Sequence, residues 1–91
     1  MIKAEYDRES MTLCIEGHAG YAPKGRDIVC AAVSALVYTL INGCQCRIEG
    51  ESIRAEDNPA VFDAVIGGLI MISQKFPKNL QVVPYRTDVQ V

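Results

Sequence analysis

The sequence has no basic stripe, no signal-like opening, no membrane-length apolar run and no second histidine. Its nine basic residues are scattered from Lys3 to Arg86 and are outnumbered by eleven acidic ones, giving a net charge of −2. Phosphate backbones are gripped by clustered Lys and Arg, so direct nucleic-acid binding is disfavoured. The opening MIKAEYDRES lacks the apolar core of a signal peptide, and no uninterrupted apolar run approaches the ~20 residues that span a bilayer. These absences predict a cytoplasmic protein with no membrane partner. In a reducing compartment Cys14, Cys30, Cys44 and Cys46 read as free thiols, ligands or a nucleophile rather than as disulfides. No repeat, low-complexity tract or linker interrupts the chain, and 91 residues predict one domain, 1–91.

What is present is apolar. Hydrophobic residues make up 49% of the chain and the mean hydropathy is +0.12, enough for a core without disulfides or a metal. The fraction is rich for so small a monomer, which predicts apolar surface shared between two subunits of a homodimer.

Alternation predicts strands over residues 1–8 and 11–17, joined as a hairpin by Arg8-Glu9-Ser10. In the second strand Met11, Leu13 and Ile15 share one face, and Thr12, Cys14, Glu16 and His18 the other. Gly17, Gly20, Pro23 and Gly25 stop regular structure. Asp27 then caps a helix that runs through IVCAAVSALVYTLIN to Gly43, with the glycine suited to a left-handed position after the last turn. The helix is apolar almost all round, so cover is expected on more than one side. Residues 45–56 resume alternation about a turn at Gly50-Glu51, with Cys46, Ile48 and Ile53 inward. A second helix begins at Asn58-Pro59, carries Val61, Phe62, Val65, Leu69, Ile72 and Phe76 at helical spacing, and stops at Pro77. Gly67-Gly68 inside it implies close backbone approach or a kink. LQVVPYR supplies a last strand, put at a sheet edge by Pro84. The order ββαβ(β)αβ predicts an α+β fold, two helices packed on one face of a mixed, antiparallel-rich sheet.

His18 and Cys30 stand twelve residues apart across the glycine-rich stretch, and three readings compete. In the first, Cys30 sits in the opening turn of the helix, where the positive end of the macrodipole favours thiolate over thiol. A strand-end imidazole folded back beside it would complete a couple for thiol acyl transfer, with a mobile loop as lid and free helix-start amides for an oxyanion. Gly17 would leave room for substrate backbone. In the second, Cys30 is a small buried hydrophobe and His18 a polar loop residue. In the third, both join Cys44 and Cys46 around zinc, but those two lie beyond a helix about 22 Å long, too far for one tetrahedral ion. Asp27 reads foremost as a cap, with contact to His18 or substrate as its second reading. Ser34, one turn beyond Cys30, either lines a pocket or bonds back to its own helix. Glu16 would reach His18 only through a bulge. A peroxide-sensing thiol is a further option, with Cys14 as the one candidate resolving cysteine.

At GHAGYAPKGRDIVCAAVSAL, residues 17 to 36, the chain resembles the bacterial ribosomal-processing cysteine protease Prp family. The matching features are Gly17-His18-Ala19, Gly25, Asp27 through Ala32, Ser34-Ala35 and Asn42, with the closing FPKNLQVVPY similar as well. The resemblance implies a cofactor-free, homodimeric endopeptidase that removes the N-terminal extension of large-subunit ribosomal protein twenty-seven, cutting after bulky apolar residues. By position it makes Cys30 the nucleophile and His18 the general base and acid, with Asp27, Ser34, Gly17 and Gly25 as supporting or substrate-binding positions. It likewise implies that loop 19–26 is a mobile cover. The segment between the helices is shorter than in longer relatives. The competing class is a non-catalytic, ribosome-associated adaptor of the same fold.

Overall fold

The structure, a computed structural model, describes residues 1–23 and 25–85. Strands β1 (Ile2–Asp7) and β2 (Thr12–Glu16) pair antiparallel, with Tyr6 opposite Leu13. The connection is held by Asp7, whose carboxylate accepts the Glu9 N–H at 3.1 Å and the Ser10 hydroxyl at 3.0 Å. Helix α1 (Ile28–Gly43) follows, then β3 (Cys46–Glu49), β4 (Ser52–Ala55), α2 (Pro59–Lys75) and β5 (Leu80–Pro84). The sheet order is β3-β4-β2-β1-β5, antiparallel except where β5 runs parallel to β1. This is the α+β arrangement expected from the sequence, with the 45–56 segment resolved into two strands. β5 does lie at an edge, where Pro84 costs no ladder bond; the expected continuation to Arg86 lies outside the described residues.

Alternation decides which face of the sheet is covered. Ile2, Ala4, Leu13, Ile53, Ala55 and Leu80 are buried under Val29, Val33 and Leu40 of α1 and Phe62, Val65, Ile66 and Leu69 of α2. The opposite face carries Glu5, Cys14 and Ser52. Ile48 points inward as expected, opposite buried Ile53 and across a groove from α1, but β3 is the outer strand and Ile48 stays 53% exposed. Part of α1 is uncovered too, leaving Ile28, Tyr38 and Ile41 exposed.

Gly43 is glycine for a reason other than the one its position suggested. It is the last helical residue, and the left-handed backbone expected there is not adopted; the cap is Cys44 in an extended conformation. A Cβ on Gly43 would come within 2.9 Å of Val61 Cγ1 on α2. Gly68 similarly lets Leu36 of α1 approach, at 3.1 Å from where its Cβ would be, whereas nothing lies within 4 Å of the corresponding point on Gly67. The same substitution should therefore have opposite signs at two helix glycines. Gly67→Ala stabilises by roughly 0.5–1 kcal/mol through lost backbone freedom, while Gly43→Ala costs about 1 kcal/mol or more because stiff, β-branched Val61 must move. Urea unfolding of the two variants checks both signs.

Candidate active site

The two chemistry-bearing residues sit at the junction between β2 and α1. β2 ends at Glu16, the chain turns at Gly17 (φ +91°), and His18 projects into solvent. That left-handed backbone already favours glycine, and the chain's own first residue adds a second reason: a Cβ at 17 would collide with the carbonyl oxygen of Met1. Gly17 does border the groove next to His18, but the room it leaves is already taken by backbone.

Asp27 organises the opposite side. One carboxylate oxygen, Oδ1, accepts the N–H groups of Val29 and Cys30 at 3.0 and 2.9 Å, capping α1. The other, Oδ2, accepts those of Tyr21 and Ala22 at 3.0 and 3.4 Å. One side chain thus ties the 19–26 loop to the turn that carries Cys30. The Cys30 N–H is the chief reason the Asp27 carboxyl is held below the usual carboxylate range; partial burial opposes it, and the Tyr21, Ala22 and Val29 N–H groups reinforce it. Because the folded value is depressed, the ionised clamp contributes stability above the ordinary carboxylate pKa of 3.8, and this is lost as pH falls through the lower folded value. Asp27→Asn should flatten that part of the acid-unfolding curve. Its amide still caps with the carbonyl oxygen but turns an NH₂ towards the Tyr21 and Ala22 donors, so the loop loosens while the helix remains. Amide exchange at Tyr21 and Ala22, faster in the variant, checks this.

The clamp corrects one expectation. The helix-start amides of Val29 and Cys30 are not free for an oxyanion, because Asp27 occupies both. A different amide faces the sulfur: the Ala19 N–H points at Cys30 Sγ, 3.4 Å away. Ala19 is only 2% exposed, and its carbonyl accepts the side-chain N–H of Asn79 at 2.9 Å. Nothing in the spacing of residues 16–32 singled out Ala19 or Asn79; the only hints were that both Gly17-His18-Ala19 and FPKN, ending on Asn79, belong to the resembling stretches.

His18 and Cys30 border two grooves together. One is apolar and runs between α1 and the β2-β4-β3 side, past Ile15, Val37, Tyr38, Ile41 and Ile48. The other is lined by the loop and the helix start, Ala22, Gly25, Arg26, Asp27, Ile28 and Ala31, with Gly20, and is apolar apart from the Arg26 and Asp27 side chains. Ser34 lies on both. Its hydroxyl makes no bond back to the helix among the described residues, unlike that of Thr39, which donates to the Ala35 carbonyl at 2.8 Å. Gly25 (φ +90°) is a turn glycine with open space around it. Glu16 is exposed and does not hydrogen-bond His18, and among the described residues no side chain orients the imidazole. His18 and Cys30 share their grooves without a hydrogen bond between them, an arrangement common in a substrate-free thiol site.

The other cysteines are set apart. Cys44 is buried, with its thiol directed at the Asn58 carbonyl, and Cys46 is directed at the Leu40 carbonyl, both at the far end of α1. Burial chiefly, with neighbouring acidic groups, pushes both thiols up. Cys14 is pushed up by burial and then by Glu51, Glu16 and Glu5. It lies on the sheet face away from α1, with the sheet between it and Cys30, which removes it as a resolving partner. Among the described residues no three His, Cys, Asp or Glu side chains converge on a metal position, and no helix is long and apolar enough to cross a membrane.

A thiol in the opening turn of a helix, an imidazole on the preceding loop and two grooves meeting between them, on a two-layer α+β scaffold, define the class as cysteine protease. The chain belongs to the cysteine protease Prp family, whose sequence profile matches residues 1–81. No curated protein sequence matches significantly. Among solved structures, the essential ribosomal processing protease Prp from S. aureus with a covalently linked product peptide superposes with a TM-score of 0.78 at 19% identity, covering 93% of this chain and all of that one. The same S. aureus protease with a substrate peptide gives 0.71, again at 19% identity and with the same coverage. SMU.848 from Streptococcus mutans gives 0.66 at 24% identity, covering 92% of this chain and 93% of its own. At these identities the likeness is one of fold.

Proposed function

We propose that this chain, acting as one domain, is the endopeptidase that removes the N-terminal extension of large-subunit ribosomal protein twenty-seven, with Cys30 as nucleophile and His18 as general base and acid. The observation that carries the reading is the common border of imidazole and sulfur on two grooves, with the Ala19 N–H directed at the sulfur. A peptide laid through both grooves crosses the reactive pair. The apolar groove suits the bulky residues that precede the scissile bond in the family, and the ribosomal processing named for the S. aureus structures supports the substrate class.

In the proposed cycle His18 takes the Cys30 thiol proton, and the thiolate attacks the scissile carbonyl. The tetrahedral adduct collapses, the C–N bond breaks, and the imidazolium protonates the departing amine. Water then loses a proton to His18 and attacks the thioester, which releases the carboxylic acid and restores Cys30. Asp27, Ser34 and Gly25 support the site, Asp27 by holding the loop cover against the helix. Two copies pairing through outward-facing apolar residues such as Met71 would account for their exposure, and a ribosomal substrate fits a cytoplasmic enzyme.

The test is incubation of purified protein with a peptide spanning the extension and the mature start, read by mass. Two products summing to the peptide plus one water are expected. Peptide bound but uncut, with Cys30 alkylated no faster than Cys14 near neutral pH, replaces the reading with a non-catalytic adaptor.

A further inference from the structure

The geometry points to Asn79 as a positioning residue for the reactive sulfur: its side-chain amide fixes the Ala19 peptide so that the Ala19 N–H stays aimed at Cys30 Sγ. Asn79 lies in the short connection between α2 and β5, sixty residues from Ala19 in sequence. Its Nδ2 donates to the Ala19 carbonyl at 2.9 Å, and the polarity is certain on chemical grounds, because a carbonyl only accepts. Asn79 is itself held at both backbone groups. Its N–H donates to the Phe76 carbonyl at 3.0 Å, and its carbonyl accepts the Ile2 N–H at 2.9 Å, on the strand beside it. The ring of Phe76 meets Tyr21 edge-on, with centroids 5.5 Å apart, so the same connection supports the loop at two points.

Ala19 is consequently constrained on three sides. Its methyl group is buried, its carbonyl is bound by Asn79, and its N–H has one remaining direction, towards the sulfur 3.4 Å away. An N–H donor fixed before reaction favours negative charge on sulfur without reorganising when the charge appears. That matters twice in the proposed cycle, when the thiolate forms and again when the thioester breaks. Asn79 touches neither substrate nor sulfur and acts wholly through the Ala19 peptide. A merely structural bond would hold the loop but leave the reactivity of Cys30 unchanged.

This inference rests on the protease reading, yet one of its measurements does not need peptidase activity. Asn79→Asp is nearly isosteric and cannot donate when ionised; Asn79→Ala removes the group. For each variant the rate of Cys30 alkylation by iodoacetamide is followed against pH, alongside kcat and KM on the extension peptide and thermal unfolding. The titratable or charged groups that share a groove with the sulfur, His18, Tyr38 and Glu51 in one and His18, Arg26 and Asp27 in the other, are the same in all three proteins. The expected result is a kcat lower by about 10-fold with KM within about threefold, and an alkylation profile displaced to higher pH. A folded variant whose alkylation profile and kcat match wild type overturns the proposal, as does a lower kcat with an unmoved profile. Wild-type protein that alkylates as expected but cuts no peptide overturns the protease reading and leaves the Asn79 comparison intact. If neither variant folds, NMR of the wild type decides. Alkylating Cys30 must shift the Ala19 amide and the Asn79 side-chain amide but not those of Asn42 and Asn58, and unmoved Asn79 signals overturn the proposal.

Discussion

Cys30→Ala loses peptide cleavage by about 10⁴-fold or more in kcat/KM while the protein stays folded and still binds the peptide. The size of the loss follows from what is removed. Without sulfur no thioester forms, and hydrolysis must proceed by direct attack of water, helped only by whatever orientation the grooves supply. Folding is spared because Cys30 is only partly buried, and the shorter alanine keeps the helix-start N–H that Asp27 accepts. Cleavage at an unchanged rate would remove Cys30 from the mechanism. The measurement is product formation by mass, with circular dichroism and peptide binding on the same sample.

His18→Ala lowers kcat by about 10² to 10⁴-fold, the range a positioned acid–base group supplies. The histidine is exposed and makes no side-chain hydrogen bond among the described residues, so its removal leaves packing untouched. Its two tasks separate by leaving group. An amine must be protonated as it departs, whereas a nitrophenolate leaves unaided. The deficit should therefore be much smaller on an activated ester of the same apolar residue than on the peptide. Equal deficits on both substrates would argue that His18 serves only in deprotonating the thiol or in binding.

Much of the architecture is legible in the sequence because it depends on local periodicity. The β1–β2 alternation, the Asp27 cap and the Asn58-Pro59 start each declare themselves within a few residues. Edge or centre is harder to read. Ile48 alternates as a core residue would, but its strand lies outermost, and nothing in four residues encodes that. Gly43 and Gly17 show the same limit. Both occur where turn chemistry wants glycine, and Gly17 does adopt a left-handed backbone, yet each also meets a neighbour remote in sequence, Val61 for one and the Met1 carbonyl for the other. At the candidate site the spacing of His18 and Cys30 was visible, as was the capping role of Asp27. Its second grip, on the Tyr21 and Ala22 amides, was not, because it depends on how an irregular loop folds back. Asn79 was out of reach for the same reason.

The parallel pairing of β5 with β1 bears on when such a molecule becomes competent during its own synthesis. His18 and Cys30 are both synthesised within the first third of the chain. The β-strand that closes on β1, and the connection that steadies Ala19, come from residues 76–84. A nascent chain halted after α1 would carry thiol and imidazole together but neither the second half of the core nor the support beneath the loop. A copy whose site depends on that connection would gain its activity only after translation of the last strand is finished.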